Sequence, residues 1–298
     1  MSITRFAAID IGSSSIKFLI SHVIETNPPV FIKAADMRIP IRLGDDVFTM
    51  HNISEEKIRQ IIISVAAFKN IMQVFAVDGY KACATAAMRE AINSKYIVNK
   101  VFNDTGIHLE IISGSQEAEI IYLNNAVNIK GKNGSYMFID VGGGSTEITL
   151  FPWDKVKISE TFKTGTVRML NNNVPAGETD KLTERIGRFM KKYPGTEIMA
   201  SGGNINRLFS IAGIKEDRPL TYINLQKIYK NLLELNYEER VIKFRLTPDR
   251  ADVIVQAASL FLHIMKYGKI KRLFVPKAGL SEGIIRQLYL DHRQNRHK

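Results

Sequence analysis

Two stretches of this chain, Phe6-Ala-Ala-Ile-Asp-Ile-Gly-Ser-Ser-Ser15 and Met137-Phe-Ile-Asp-Val-Gly-Gly-Gly-Ser-Thr-Glu147, are built alike. In each an apolar run ends in Asp-x-Gly and opens into hydroxyl residues. A strand that ends this way enters a tight turn whose glycine lets backbone N–H groups approach an anion, while the hydroxyls add donors and the Asp can hold a divalent cation. One such turn says little, because Asp-Gly also closes ordinary hairpins. Two of them, the second followed by Glu147, constrain the fold to repeated strand–turn–strand units that could grip one phosphate chain from both sides.

The segments around the turns extend the pattern. Arg5 to Ile11, Ser15 to Ile24 and Val30 to Ile39 read as three strands of a meander. Ser54 is placed to cap a helix whose apolar stripe is Ile58, Ile61, Ile62 and Val65, with Phe68 or Lys69 near its end. A fourth strand is expected over Val74 to Thr85, a fifth over His108 to Ile112, and a helix over Gln116 to Asn128. Lys130 to Gly134 reads as a linker, after which the strand–turn–strand plan restarts. This places a boundary near residue 128 and gives domains 1–128 and 129–298, with the last helix free to pack back on the first. Beyond it, Glu197 to Asn204 is a strand that breaks at Gly202 and Gly203 and leads into a helix from Ile205 to Ala212. Helices follow at Asn224 to Leu235 and Asp249 to Lys266, then a short strand from Arg272 to Pro276 and a final helix. Alternation of this kind describes α/β domains.

Composition fits an enzyme of about two domains: 298 residues, 45% hydrophobic. No apolar run reaches the ~18 residues that span a bilayer, and the N-terminus opens on a strand pattern instead of a signal peptide, so a cytoplasmic location is the expectation. The net charge of +11 suits a polyanionic partner. No zinc-ligand spacing, helix-turn-helix pattern or aromatic RNA-binding signature accompanies it, so phosphate chains are favoured over nucleic acid. Cys83, the single cysteine, reads as a buried small hydrophobe. The six histidines are scattered and suggest no metal cluster. Trp153, after Pro152, reads as a core or edge residue of a hairpin.

The strings AIDIGSSSIKFLI, ATAAMREA, EIISGSQEAEII, FIDVGGGSTEITL, GTVRML and ASGGNINRL, in this order, resemble the exopolyphosphatase and guanosine pentaphosphate phosphohydrolase (Ppx/GppA) family. The resemblance implies two actin-like, ribonuclease H-like α/β domains facing an interdomain cleft. It assigns Asp10, Gly12, Ser13, Ser14 and Ser15 to a first phosphate loop and Asp140, Gly142, Gly143, Gly144, Ser145 and Thr146 to a second, with Gly202 and Gly203 as a third glycine turn of related design. Asp10, Asp140 and Glu147 are the implied ligands of magnesium or another divalent cation, Glu117 the implied general base, and Arg89 a cation lining the site. The implied activity is release of terminal phosphate from inorganic polyphosphate or from pppGpp by water, in a protein that could be a homodimer.

Four positions depart from the family pattern. Ser14 stands for Asn, Gln116 for the first Glu of a Glu-Glu pair, Glu119 for Arg, and Ser281 for the Arg of Gly-Leu-Arg-Glu-Gly. Two cations are thereby lost, which matters only where they would face the ligand. Longer relatives carry further helical domains, so short polyphosphate or pppGpp is expected over long chains. Three alternatives stay open: binding of polyphosphate or pppGpp without turnover, a kinase of the same superfold, and a filament-forming actin relative.

Overall fold

The computed structural model describes residues 3–129, 135–152, 158–215, 218–276 and 279–296. Their order begins β1 (Ile3–Ile11), β2 (Ile16–Ile24), β3 (Val30–Ile39), α1 (Leu43–Met50), α2 (Glu55–Val74), β4 (Gly79–Ala84), α3 (Ala86–Glu90), α4 (Ser94–Thr105), β5 (Leu109–Ile111) and α5 (Gly114–Ile129). It continues with β6 (Ser135–Val141), β7 (Thr146–Pro152), β8 (Ile158–Phe162), α6 (Thr166–Leu170), α7 (Glu178–Lys192), β9 (Glu197–Ser201) and α8 (Gly203–Ile211). The last elements are β10 (Leu220–Thr221), α9 (Tyr222–Leu233), α10 (Tyr237–Phe244), α11 (Pro248–Tyr267), β11 (Arg272–Leu273) and α12 (Leu280–Arg296). The chain divides into two compact units, Met1–Asn128 with Ala278–Lys298, and Ile129–Lys277.

The first unit holds a five-stranded sheet in the order β3-β2-β1-β4-β5, antiparallel through the meander and parallel from β1 to β5. β1 is apolar almost throughout because both of its faces are covered. α12 packs on β1, β2 and β4, while α2 meets β2, with Phe68 stacked on Phe18 at 4.4 Å between ring centroids. The second unit repeats the plan in a sheet of order β8-β7-β6-β9, and the parallel bridge from Met199 to Phe274 continues it on the β9 side. Its core gathers Met137, Ile139, Ile148 and Leu150 from the sheet with Leu182, Ile186 and Phe189 of α7 and Ile254, Ala258 and Phe261 of α11. Both units are therefore α/β and share the order β-β-β-α-α-β, of which the repeated turns predict the strand–turn–strand start.

Several local expectations are corrected. Ser54 occupies the N-cap of α2, but its side chain makes no capping bond; its backbone N–H instead donates to Asp46 Oδ2 at 3.0 Å. Val74 ends α2 and is exposed, so β4 begins only at Gly79. Ile62 is half-buried, and the buried stripe of α2 runs Ile58, Ile61, Val65, Phe68 and Met72. The linker Lys130 to Gly134 and Trp153 lie outside the described residues. Cys83 is buried on β4, and burial pushes its thiol up to about 12, which keeps it protonated and inert. Among the described residues no helix is long and apolar enough to cross a membrane.

Candidate functional site

The turn between β1 and β2 is closed by Gly12 N–H donating to the Ser15 carbonyl at 3.0 Å. Two further bonds tie it to the start of α1: Gly44 N–H to the Ser13 carbonyl at 2.8 Å and Arg42 N–H to the Ser14 carbonyl at 3.2 Å. A Cβ at Gly12 would meet only the turn's own Ser15 carbonyl, at 3.4 Å, which leaves the outer side of the glycine open to an incoming anion. Ser13 and Ser15 are buried and Ser14 is half-buried. Asp10 lies directly across the pair from Lys17, whose Nζ reaches Asp10 Oδ2 at 3.2 Å.

The β6–β7 turn repeats this geometry, with Gly142 N–H donating to the Ser145 carbonyl at 2.9 Å. Here α6 supplies the support: Thr166 N–H reaches the Gly142 carbonyl at 3.0 Å and Val167 N–H the Gly143 carbonyl at 2.8 Å. The buried Arg168 donates from Nε to the Gly144 carbonyl at 2.7 Å. These bonds consume the carbonyls of the three glycines, so the peptide dipoles of the turn point their carbonyl ends at α6. Thr146 is a correction: it is fully buried and its hydroxyl donates to the Thr164 carbonyl, so it anchors the hairpin instead of offering a donor to a phosphate. The Ser145 hydroxyl likewise donates to Glu147 Oε1 at 2.6 Å.

Asp140 and Glu147 face each other across this hairpin. Directly opposed residues project from the same face of a sheet, so two carboxylates meet where the first hairpin has a carboxylate and an ammonium. Two hard oxygen donors fit magnesium, which takes one or two carboxylates and completes its shell with water and phosphate oxygens. Asp10, already bridged by Lys17, fits that role less well, and among the described residues no group of three or more His, Cys, Asp or Glu side chains is arranged to hold a metal ion. The third glycine turn closes on the same aspartate. Gly202 has φ +111°, and a Cβ there would stand 2.9 Å from Asp140 Oδ1. At Gly203 the space of a side chain is filled by the Arg250 guanidinium, whose nitrogens lie 2.6 and 2.7 Å from where a Cβ would stand. Arg250 also reaches Asn204 Oδ1 at 3.4 Å.

In the first unit, α5 begins with a capping box. Gln116 N–H donates to Ser113 Oγ at 3.2 Å, and Ser113 N–H donates to Gln116 Oε1 at 2.8 Å. An amide oxygen serves this purpose as a carboxylate would, so glutamine at 116 keeps the capping bond. Glu117 follows in the first turn, with its side chain 13% exposed. Arg89, carried by α3, donates from Nη1 to Glu117 Oε2 and to the Ile112 carbonyl, both at 3.0 Å. The sequence-predicted pair is thus brought together. Glu119 is exposed, whereas Ser281 is buried.

Sequence reasoning does not single out Lys17, Arg168 or Arg250. Lys17 has a readable signal, its place seven residues after Asp10 mirroring Glu147 after Asp140. Arg168 lies within the string GTVRML, whereas Arg250 has no such signal, since its partners lie in another element.

Residues 31–292 match the Ppx/GppA phosphatase family. A guanosine-5'-triphosphate,3'-diphosphate pyrophosphatase of Vibrio parahaemolyticus is 23% identical over 303 aligned positions, covering 97% of this chain; the chain spans 60% of that relative's length. The crystal structure of the Aquifex aeolicus Ppx/GppA family member superposes with a TM-score of 0.78 at 27% identity, covering 98% of this chain and 99% of that one. An exopolyphosphatase from Cytophaga hutchinsonii shares the fold, with a TM-score of 0.84 at 20% identity over 97% of this chain and 98% of its own. On the extent of the family match and the paired hairpin turns, the chain belongs to the Ppx/GppA phosphatase family.

Proposed function

We propose that this protein is a magnesium-dependent hydrolase that releases the terminal phosphate of inorganic polyphosphate or of pppGpp by attack of water. The observation that carries the reading is the Arg89–Glu117 pair: a carboxylate in the first turn of a helix, largely shielded from solvent and fixed by a guanidinium at 3.0 Å. Hydrolysis of a phosphoanhydride asks the protein mainly to position water and to neutralise charge spread over the transferring oxygens. Glu117 orients the water and accepts its proton as the new P–O bond forms and the bridging P–O bond breaks, a contribution typically worth ~10²–10⁴-fold. Beside Glu117, Arg89 neutralises phosphate oxygens. Asp140 and Glu147 would hold magnesium, which supplies Lewis-acid neutralisation of the phosphate. The names borne by the Vibrio and Cytophaga proteins support this reaction class.

The test is phosphate release with magnesium from short polyphosphate, long polyphosphate, pppGpp and ATP, beside Glu117→Gln. The substitution is expected to lower turnover at least ~100-fold with the fold and substrate binding intact. Full activity in that variant would remove Glu117 as the base. Tight binding of pppGpp or polyphosphate without phosphate release in the wild type would make the protein a binder instead of an enzyme.

A further inference from the structure

α12 meets the helix that carries Glu117 at one point of unusually close approach. A Cβ built on Gly283 would lie 2.3 Å from the Ile120 carbonyl oxygen, 2.8 Å from its carbon and 2.7 Å from Ile120 Cγ2. Gly283 lies inside α12 with no left-handed φ, so glycine is required here by proximity and not by backbone conformation. Ile120 is 4% exposed and lies three residues, nearly one helical turn, after Glu117. The first turn of α12 is fixed in its own right. Glu282 accepts from Gly279 N–H at 2.9 Å through Oε2 and from Lys33 Nζ of β3 at 2.6 Å through Oε1. A rigid backbone surface therefore sits against α5 just beyond the carboxylate.

We propose that Gly283 is a positioning residue for Glu117: by letting α12 approach Ile120 without a side chain between them, it sets where α5 holds the carboxylate. The inference rests on the reading of Glu117 as the general base. Arg89 fixes the carboxylate at its tip, and α12 fixes the helix behind it. One methyl group at 283 has to move the Ile120 carbonyl from 2.3 Å to an ordinary contact near 3.4 Å, a displacement of about 1 Å. The atoms to be moved are backbone, so the shift is carried by α5 instead of by a side-chain rotation. A 1 Å misplacement of a reacting group can cost about 10²-fold in rate.

The test compares Gly283→Ala with Gly279→Ala, where a Cβ would meet only Glu282 Oε2, at 3.6 Å. Steady-state phosphate release is measured per folded molecule with the best of the four substrates above. Gly283→Ala is expected to lower kcat at least tenfold with KM within twofold, and Gly279→Ala to keep the wild-type kcat. A purely structural role would lower Tm and leave kcat per folded molecule unchanged. That result, or a loss confined to KM, overturns the proposal. If Gly283→Ala yields no folded protein, Glu282→Gln decides: it loosens the clamp of α12 to Lys33 without adding bulk. A two- to fivefold lower kcat at unchanged KM is expected, and a wild-type kcat overturns the proposal. Glu117→Gln run in parallel separates the two readings, because an active Glu117→Gln removes the base itself, whereas an inactive one beside a fully active Gly283→Ala removes only the positioning role.

Discussion

Lys17 and Glu147 hold the same register position in two hairpins of the same design, Lys17 opposite Asp10 and Glu147 opposite Asp140. The substitution of charge gives the two turns different electrostatics. In the first, an ammonium already balances the aspartate at 3.2 Å. In the second, two carboxylates share one face, a pair of hard oxygen donors of the kind magnesium takes. Glu147→Gln removes one charge while keeping an acceptor for the Ser145 hydroxyl. It should raise the magnesium concentration for half-maximal phosphate release at least ~10-fold. A magnesium titration indistinguishable from wild type would take the cation away from this hairpin.

Arg89 is the second lever. Its Nη1 serves both Glu117 and the Ile112 carbonyl at the end of β5. With Glu117 as the proposed base, Arg89→Met should lower kcat by ~10²–10³-fold, because the variant loses the guanidinium that holds that carboxylate. It should also cost about 1–3 kcal/mol of stability, since a largely shielded carboxylate loses a partner. Turnover within threefold of wild type would remove Arg89 from the chemistry, whatever its effect on Tm.

What is legible in the sequence follows from where the physical signal is local. The strands leading into the two turns are legible because their apolar runs and Asp-x-Gly ends are contiguous. α7 carries a local signal that the sequence expectations omit: Leu182, Ile186 and Phe189 recur at i, i+4 and i+7, between acidic residues in its first turn and lysines in its last. α1 starts from Arg42 in a left-handed conformation without a side-chain cap, so no start signal precedes it. Arg168 and Arg250 belong to the second turn and its glycine neighbour only through folding, which carries their helices to Gly144 and Gly203. The hydroxyl of Thr146 misleads for a related reason. Its acceptor, the Thr164 carbonyl, lies beyond β8, and only the closed hairpin brings the two together.

Gly165 tests how tightly the second turn is held. A Cβ there would stand 2.4 Å from the Gly143 carbonyl oxygen and 2.5 Å from the carbonyl carbons of Gly143 and Gly144, all backbone atoms. Gly165→Ala should therefore destabilise by about 1–3 kcal/mol and weaken phosphate binding, because the turn and α6 are forced apart. Gly187, inside α7 with nothing within 4 Å of where a Cβ would stand, is the control. Gly187→Ala should stabilise by about 0.5–1 kcal/mol. Thermal unfolding of the two variants should move in opposite directions; a shared direction would show that close approach at Gly165 is not what the turn depends on.

The first turn has an acid-sensitive support. Burial pushes the Asp46 carboxyl up, but hydrogen bonds from Lys57 and from Ser54 outweigh it and hold the group below its ordinary value of 3.8. Lys57 Nζ bridges Asp46 Oδ1 at 2.6 Å and the Arg42 carbonyl at 2.7 Å, and Arg42 N–H holds the Ser14 carbonyl at 3.2 Å. Because the folded value is depressed, the stabilisation is fully present above the unfolded value and is lost as pH falls through the folded one. Asp46→Asn lacks it at every pH. The variant should melt lower than wild type near neutrality, by the equivalent of about 1–3 kcal/mol for a charge-assisted pair. The gap should close as pH is lowered below the folded value. Melting curves of both proteins from about pH 7 to about pH 2.5 check this. A gap that stays constant across the range would show that the charge of Asp46 does not support the turn.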